Sequence, residues 1–345
     1  MTASSNNPSV PTAVVCGAGR MGQRYLKVLQ TMGILVEAVC DPSDQSLSAA
    51  HELAPEAALY KDSSALFTKH RARLAIISST ASSHAPLSLQ AAEHGAQFIV
   101  CEKPMATSIQ EARAMAEGCK SRGVKLAINH QMRFLAQYTR VKELFASKEF
   151  GSLQSMTVVT GNCGLTMNGS HYVEALRFLS EDEPSVVTAW LENFGLPNPR
   201  GAQFVDQAGA WRIETKRGVR MYMELGAHQG HGMQVVYGGS FGQIFVDELQ
   251  GALYAIARRP QDRELPMNRI GSEAVVLRET IPAVEMLEST RCVIEALLRG
   301  SPACSGEDGV TIVKTLVAAY LSHERGNMPV DISQPLPEER SFPWA

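Results

Sequence analysis

The run Ala13-Val14-Val15-Cys16-Gly17-Ala18-Gly19-Arg20-Met21-Gly22 decides the fold of this 345-residue chain. Its first four residues are apolar and include two β-branched valines, as a short buried strand requires. The next six match Gly-x-Gly-x-x-Gly. Beyond the motif's start, Met21, Tyr25, Val28, Leu29 and Met32 recur at helical spacing, and Gly33 follows as the residue just past the helix end. Strand, glycine turn and helix in that order frame a dinucleotide site. The glycines let the chain turn tightly, let the backbone approach a pyrophosphate and let helix pack on strand, while the helix N-terminus faces the anion. Gly17, Ala18, Gly19, Arg20, Met21 and Gly22 are therefore the first candidate cofactor residues.

Outward from this run, the first 130 residues alternate apolar stretches with helical segments, the mark of βαβ units around a parallel sheet. Strands are expected at Ala13–Cys16, Leu35–Cys40, Ala58–Tyr60, Leu74–Ile77, Gln97–Cys101 and Lys125–Ile128. The runs Leu-Ala-Ile-Ile and Phe-Ile-Val-Cys are apolar throughout, so both faces of the sheet should be covered by helices. Gly95 and Gly123 repeat the helix-stop signal of Gly33. Asp41 closes the second strand, about 20 residues past the glycines. A carboxylate there accepts both ribose hydroxyls of NAD and repels a 2′-phosphate, which favours NAD over NADP. Followed by Pro42 and Ser43, Asp41 equally suits a turn that caps the next helix.

In an open parallel sheet, ligands bind outside the carboxyl ends of the strands. Those positions hold Ser78, Ser79, Thr80 and, further on, His84 after the fourth strand. Glu102, Lys103 and Pro104 follow the fifth, and Asn129, His130, Gln131, Met132 and Arg133 follow the sixth. Pro104 restricts the backbone of Lys103 to extended conformations. An ammonium held there can hydrogen-bond a substrate oxygen and stabilise negative charge developing on it. The alternative is a solvated loop lysine.

Past residue 130 the rhythm changes. A helix is expected over Gln137–Ser147, a strand over Ser152–Thr160, a helix from near Gly169, a strand-rich stretch to about Arg258, and helices over Pro282–Leu298 and Gly306–Ser322. Segregated strands suggest an α+β domain with a mostly antiparallel open sheet. The chain therefore divides into residues 1–130 and 131–345, in keeping with about 150 residues per domain. In Asn168-Gly169-Ser170-His171-Tyr172-Val173-Glu174, a helical start places His171 and Glu174 on one face, where the carboxylate can orient or charge the imidazole. An imidazole titrating near neutrality can take a proton from an alcohol or return one to a ketone. A satisfied structural histidine at a helix start fits the same residues. Asn129, Arg133, Asn168 and Glu174 are candidate substrate contacts. Asn162, Arg177, Trp190 and Trp211 suit a pocket or a surface and core equally. His228-Gln-Gly-His231 has no third ligand at helical spacing, so no metal is expected. The closing stretch from Ser333 is proline-rich and suits a surface path.

Composition narrows the function classes. Lysine and arginine total 32 against 35 acids, a formal net charge of −3, so nothing neutralises a phosphate backbone and nucleic acid is excluded as the main partner. Hydrophobic residues at 45% and charged ones at 19% fit a folded chain with sizeable cores. No apolar run approaches the roughly 18 residues of a membrane span. The opening MTASSNNPSV has neither a basic nor an apolar region and reads as a frayed tail. Cysteines at 16, 40, 101, 119, 163, 292 and 304 form no Cys-x-x-Cys pair, which suits reduced thiols and a cytoplasmic protein.

Together these residues resemble the Gfo/Idh/MocA oxidoreductase family over nearly the full length. GAGRMG opens the chain as the family's fingerprint does. HAPLSLQAAEHGAQFIVCEKPMATSIQEARAM is similar to its stretch from the histidine after the fourth strand through Glu-Lys-Pro. INHQMRF with EFGSLQS resembles its crossover into the second domain, and DGVTIVKTLVAAYLSHERGNMPVDI its closing helix and strand. The resemblance implies a Rossmann domain followed by an α+β domain whose open sheet forms a homodimer or homotetramer interface. It implies hydride exchange between a tightly held nicotinamide and a hydroxyl or keto carbon of a sugar, cyclitol or nucleotide sugar. Lys103 matches the Glu-Lys-Pro lysine, and His171 the histidine of the family's D-x-G-x-H-x-x-D pattern, with Gly169 and Glu174 in the neighbouring places. Met167 stands where the pattern has its first aspartate. That departure keeps a second expectation open: a non-catalytic dinucleotide-binding regulator or scaffold.

Overall fold

A computed structural model describes residues 11–344 apart from 162, 196, 197, 199, 227, 231, 267–273, 283 and 284, and leaves out the side chains of 193–195. Asn162, His231 and the opening ten residues thus lie outside the described residues. Two compact units emerge. The first comprises Met1–Ala106, Glu111–Asn129 and Met286–Glu307; the second comprises Thr107–Gln110, His130–Glu285 and Asp308–Ala345.

The first unit alternates strand and helix: β1 (Ala13–Cys16), α1 (Arg20–Thr31), β2 (Val36–Cys40), α2 (Asp44–Leu53), β3 (Ala58–Tyr60), α3 (Ser63–Lys69), β4 (Leu74–Ile77), α4 (Ala81–Glu93), β5 (Phe98–Cys101), α5 (Ile109–Ser121) and β6 (Lys125–Ile128). All six strands run parallel in the order β3-β2-β1-β4-β5-β6. The order reverses at β1, the switch point where such sheets place ligands. β1 and β4 are buried at every residue, as continuous apolar runs between two helical layers require. Gly33, Gly95 and Gly123 end helices at φ of +65°, +98° and +70°, a region glycine enters without steric cost.

The second unit starts with α6 (Ala136–Ala146), β7 (Leu153–Gly161), a π-helical turn (Leu165–Gly169) and α7 (Ser170–Ser180). It continues through β8 (Pro184–Gly195), β9 (Gln207–Thr215), β10 (Arg220–Gly226), β11 (Gln234–Gly239), β12 (Gly242–Asp247), β13 (Ala252–Arg258) and β14 (Ala274–Thr280). After α8 (Met286–Leu298) come α9 (Gly306–Glu324) and β15 (Val330–Asp331). The sheet order is β14-β13-β12-β11-β7-β10-β9-β8-β15, and every pair is antiparallel except β7 with β10. Alternating burial along β9, β10 and β13 gives this sheet one covered and one open face.

The fold class is as the sequence implied, with four local differences. Helix α8 groups with the first unit because its buried face of Val293, Ile294 and Leu297 packs beside α1, β5 and β6. Strand pairing continues past Arg258, since β14 pairs along the length of β13. The helix expected from Gly169 begins earlier, as a π-turn from Leu165. The C-terminal tail is no simple surface run. Phe342 and Trp344 are buried, with rings stacked at 4.8 Å, and Phe342 sits 4.9 Å from Tyr320. Two large aromatics bury more apolar area than the prolines around them expose.

Candidate functional site

The carboxyl ends of the parallel strands fall in register: Cys16 pairs with Cys40 and Ile77, Ile77 with Cys101, and Cys101 with Ile128. The ladder runs one residue further. The amides of Gly17, Ser78, Glu102 and Asn129 donate to the carbonyls of Cys40, Cys16, Ile77 and Cys101 at 2.7–2.8 Å. Gly17, Asp41, Ser78, Glu102 and Asn129 therefore form one row along the sheet edge, each fixed by backbone hydrogen bonds rather than by loop conformation.

At the switch point the three glycines do different things. Gly17 adopts φ +98°, and a Cβ there would overlap the backbone of Ser78 and Ser79. A Cβ on Gly22 would overlap the Gly17 carbonyl, so this glycine lets α1 pack against the strand. A Cβ on Gly19 would meet nothing within 4 Å. Packing therefore explains Gly17 and Gly22 but not Gly19, and the open space above Gly19 is where backbone must approach something outside the chain. Gly19 is also the N-cap of α1, with no side-chain cap and no acidic residue in the first turn. The helix's unsatisfied N–H groups and positive dipole end are left for an anion. Arg20 and Met21 open α1, Arg20 exposed and Met21 half-buried.

Asp41 is tied to this loop. Its Oδ2 accepts from the Ala18 amide at 2.7 Å and its Oδ1 from the Ser43 amide at 2.9 Å. The cofactor and turn-forming readings of Asp41 thus coexist, since a carboxylate has about four acceptor positions and two remain for hydroxyls. Ser43, not Asp41, supplies the side-chain cap of α2. These features fit a dinucleotide: an uncapped helix N-terminus, a glycine without a packing role, and a carboxylate in register one strand away.

Around Lys103 the sequence candidates separate into two kinds. Glu102 is buried and works inward. Its Oε1 accepts from the Tyr25 hydroxyl of α1 at 2.9 Å and from Asn129 Nδ2 at 2.6 Å, and its Oε2 from the Lys103 amide at 3.3 Å. Burial and this carboxylate push the Tyr25 hydroxyl well above its usual range, so it stays a donor. His84 is 1% exposed. Its Nδ1 lies 2.9 Å from the Pro104 carbonyl and its Nε2 3.1 Å from the Ser79 carbonyl. Burial pushes the imidazole below its ordinary value against the pull of those carbonyls. His84, expected to touch cofactor, instead joins the loop after β4 to the loop after β5. Asn129, expected to touch substrate, is buried on Glu102. Lys103 itself is half-buried and precedes a cis peptide bond to Pro104. Ser79 and Thr80 remain half-buried at the start of α4, where Thr80 is the N-cap and Ser79 Oγ accepts from Ser83.

In the second unit His171 lies in the first turn of α7, its ring 5.2 Å from that of His130 and at 82° to it. Glu174 is 1% exposed and bound to two guanidiniums, with one oxygen on Arg133 and the other 2.7 Å from Arg177. Arg177 also holds both oxygens of Glu183 and one of Asp308. Glu174 is thus part of a buried ionic cluster, whose partners satisfy a charge that burial alone would make costly. Arg133, expected to touch substrate, joins that cluster and stacks on Phe178 with 5.1 Å to the ring centre. Asn168 donates to Cys163 Sγ at 2.7 Å.

Sequence reasoning missed the roles of Tyr25 and Asp206, and it placed His130 past the sixth strand without pairing it to His171. Tyr25 was visible only as one member of the apolar stripe of α1. Asp206 donates nothing to any local motif, yet its carboxylate accepts from the Thr166 and Met167 amides at 2.7 and 2.9 Å. Trp211 is buried beneath Gly169 and Trp190 is exposed, while His228 lies on a surface turn.

Residues 12–130 match the GFO_IDH_MocA family, described as an oxidoreductase family with an NAD-binding Rossmann fold. The match spans β1 through β6. The chain is 31% identical over 190 residues to D-apiose dehydrogenase of Paraburkholderia graminis, covering 50% of each chain. It is 24% identical over 254 residues to inositol 2-dehydrogenase/D-chiro-inositol 3-dehydrogenase of Shouchella clausii, covering 68% of this chain and 71% of that one. The chain thus spans about half the length of the first relative and over two thirds of the second. In fold, it is similar to an oxidoreductase from Agrobacterium radiobacter solved with NAD+, L-tartaric acid and magnesium, with a TM-score of 0.79 at 19% identity over 94% of this chain and 99% of that one. The glycine turn, Asp41 and Lys103 lie within the matched residues. His171 and its surroundings fall outside the matched residues.

Proposed function

We propose that the chain is an NAD(H)-dependent dehydrogenase or reductase acting on a hydroxyl or keto carbon of a sugar, cyclitol or nucleotide sugar. The observation that carries this reading is the space above Gly19 beside an uncapped helix and a carboxylate bound to Ala18. Gly17 through Gly22, Asp41, Ser79 and Thr80 would hold the cofactor, which when bound supplies the hydride donor or acceptor. Asp41 selects NAD over NADP, because a 2′-phosphate would meet its negative charge. The names of the two curated relatives, both dehydrogenases of polyhydroxylated carbon compounds, support the substrate class.

Lys103 hydrogen-bonds the reacting oxygen and stabilises charge that develops on it. Glu102 holds its backbone, and through Glu102 so do Tyr25 and Asn129. His171 takes the hydroxyl proton in oxidation or returns it in reduction. Asn168 orients substrate in this reading. The test is NADH binding with Lys103→Ala: kcat should fall by roughly 10²–10⁴-fold while NADH affinity holds within about twofold. Unchanged turnover would remove Lys103 from the mechanism.

The open face of the nine-stranded sheet supports a homodimer or homotetramer. Tyr222, Val236, Phe245 and Tyr254 line up through matched registers across β10, β11, β12 and β13 on that face. A second reading, a dinucleotide-binding regulator, draws on Met167 and on Glu174 being consumed by arginines. Single-turnover assays over sugars and nucleotide sugars separate the two: intact NADH binding with no hydride transfer favours the regulator.

A further inference from the structure

The helix carrying His171 is continuous from the π-turn at Leu165 to Ser180, and its N-cap is Gly164, in an extended conformation with no side chain to offer. An N-cap side chain ordinarily accepts from the second and third amides of its helix. Here those amides belong to Thr166 and Met167, and the acceptor is the carboxylate of Asp206, from a loop distant in sequence. Gly164 is small for the same reason: a Cβ there would overlap the Asp206 carboxyl group. The cap is therefore built from two parts, a glycine that makes room and a remote acid that fills it.

The loop bearing Asp206 is itself held. The Val205 amide donates to the Pro343 carbonyl at 2.8 Å, between the buried rings of Phe342 and Trp344. The Phe342 amide donates to the Thr107 carbonyl at 2.9 Å. From the same loop Arg200 Nη1 reaches Met167 Sδ at 2.9 Å. A path of direct contacts thus leads from the C-terminal aromatics through Val205 and Asp206 to the turn that precedes His171.

We propose that Asp206 is a positioning residue for His171, supplying the carboxylate that neither Gly164 nor Met167 carries, and that the C-terminal tail keeps it in place. The inference rests on the reading of His171 as the proton-transfer group. Asp206 has both oxygens on backbone amides, so it acts on the helix start and its electrostatics rather than as a relay. The Asp206 charge offsets the positive dipole end of this helix, and through space it favours a protonated imidazole at His171, the seventh residue from the cap. Among the described residues, the other charged or titratable groups about this turn include His130, Arg133, Cys163, Glu174, Arg200 and Tyr320, each retained in the variants below.

The test is the titration of the His171 imidazole, followed by NMR on isotope-labelled full-length protein. Asp206→Asn should lower its midpoint by about half a pH unit, and Asp206→Glu should restore it. With any substrate the wild type turns over, Asp206→Asn should lower kcat about tenfold and leave KM within about twofold. A chain ending at Ser341 should titrate as Asp206→Asn does. Asp206→Ser, which keeps an acceptor without charge, serves if the asparagine variant does not fold. An unchanged His171 midpoint in the neutral variants would overturn the proposal. Failure of the wild type to bind NADH would overturn the proposed function instead and leave the His171 titration readable.

Discussion

At the scale of single residues, the three glycines of the fingerprint make separable predictions. Gly22→Ala should lower the thermal midpoint by about 5 °C or more, because its Cβ would overlap the Gly17 carbonyl. Gly19→Val should leave that midpoint within about 2 °C while weakening NADH binding by about tenfold or more, since nothing in the protein occupies the space it fills. A thermal scan with and without NADH reads both. The roles of these glycines were legible in the sequence because each follows from its place between a strand and a helix. The roles of Glu174 and Asn129 were not. Each sits where a substrate contact was expected, but each is consumed by a partner far along the chain, Glu174 by Arg133 and Asn129 by Glu102. Spacing within a segment carries no information about such partners.

At the scale of elements, the loops after β4 and β5 are joined by His84, and α1 is joined to the end of β5 through Tyr25 and Glu102. Tyr25→Phe removes one donor from a buried carboxylate and should cost about 1–3 kcal/mol in chemical denaturation. Burial lowers the His84 value from 6.5, so the unfolded chain binds the proton more readily than the folded one. That contribution to stability is present above pH 6.5 and is lost as pH falls toward the lowered folded value. Thermal midpoints should therefore drop between about pH 7 and 5, and His84→Gln should flatten that part of the profile; an equally steep profile in the variant would assign it to other groups. The alternation of strands and helices up to residue 130 was readable because parallel strands buried on both faces are apolar throughout. The π-turn before His171 was not readable, because its cap, Asp206, arrives from beyond β8.

At the scale of the whole molecule, the two-part architecture followed from a change in sequence rhythm near residue 130. The assignment of α8 to the first unit did not, since an amphipathic helix declares which face it buries but not against which sheet. The open face of the second sheet was implied by alternation along β10 and β13, and it carries the prediction about assembly. Phe245→Glu, facing outward beside Tyr254 with 5.8 Å between ring centres, should shift the oligomer to a smaller species by light scattering without lowering NADH affinity. An unchanged mass would place any interface elsewhere. The claim on which the account depends is that the glycine turn and Asp41 bind a nicotinamide dinucleotide. Direct titration of the purified full chain with NADH and NADPH, followed by calorimetry, tests it most simply. Saturable binding of one NADH per chain, with NADPH weaker by about tenfold or more and Asp41→Ala narrowing that gap, is the expected result. No binding of either nucleotide, or binding unaltered by Gly19→Val, would contradict it.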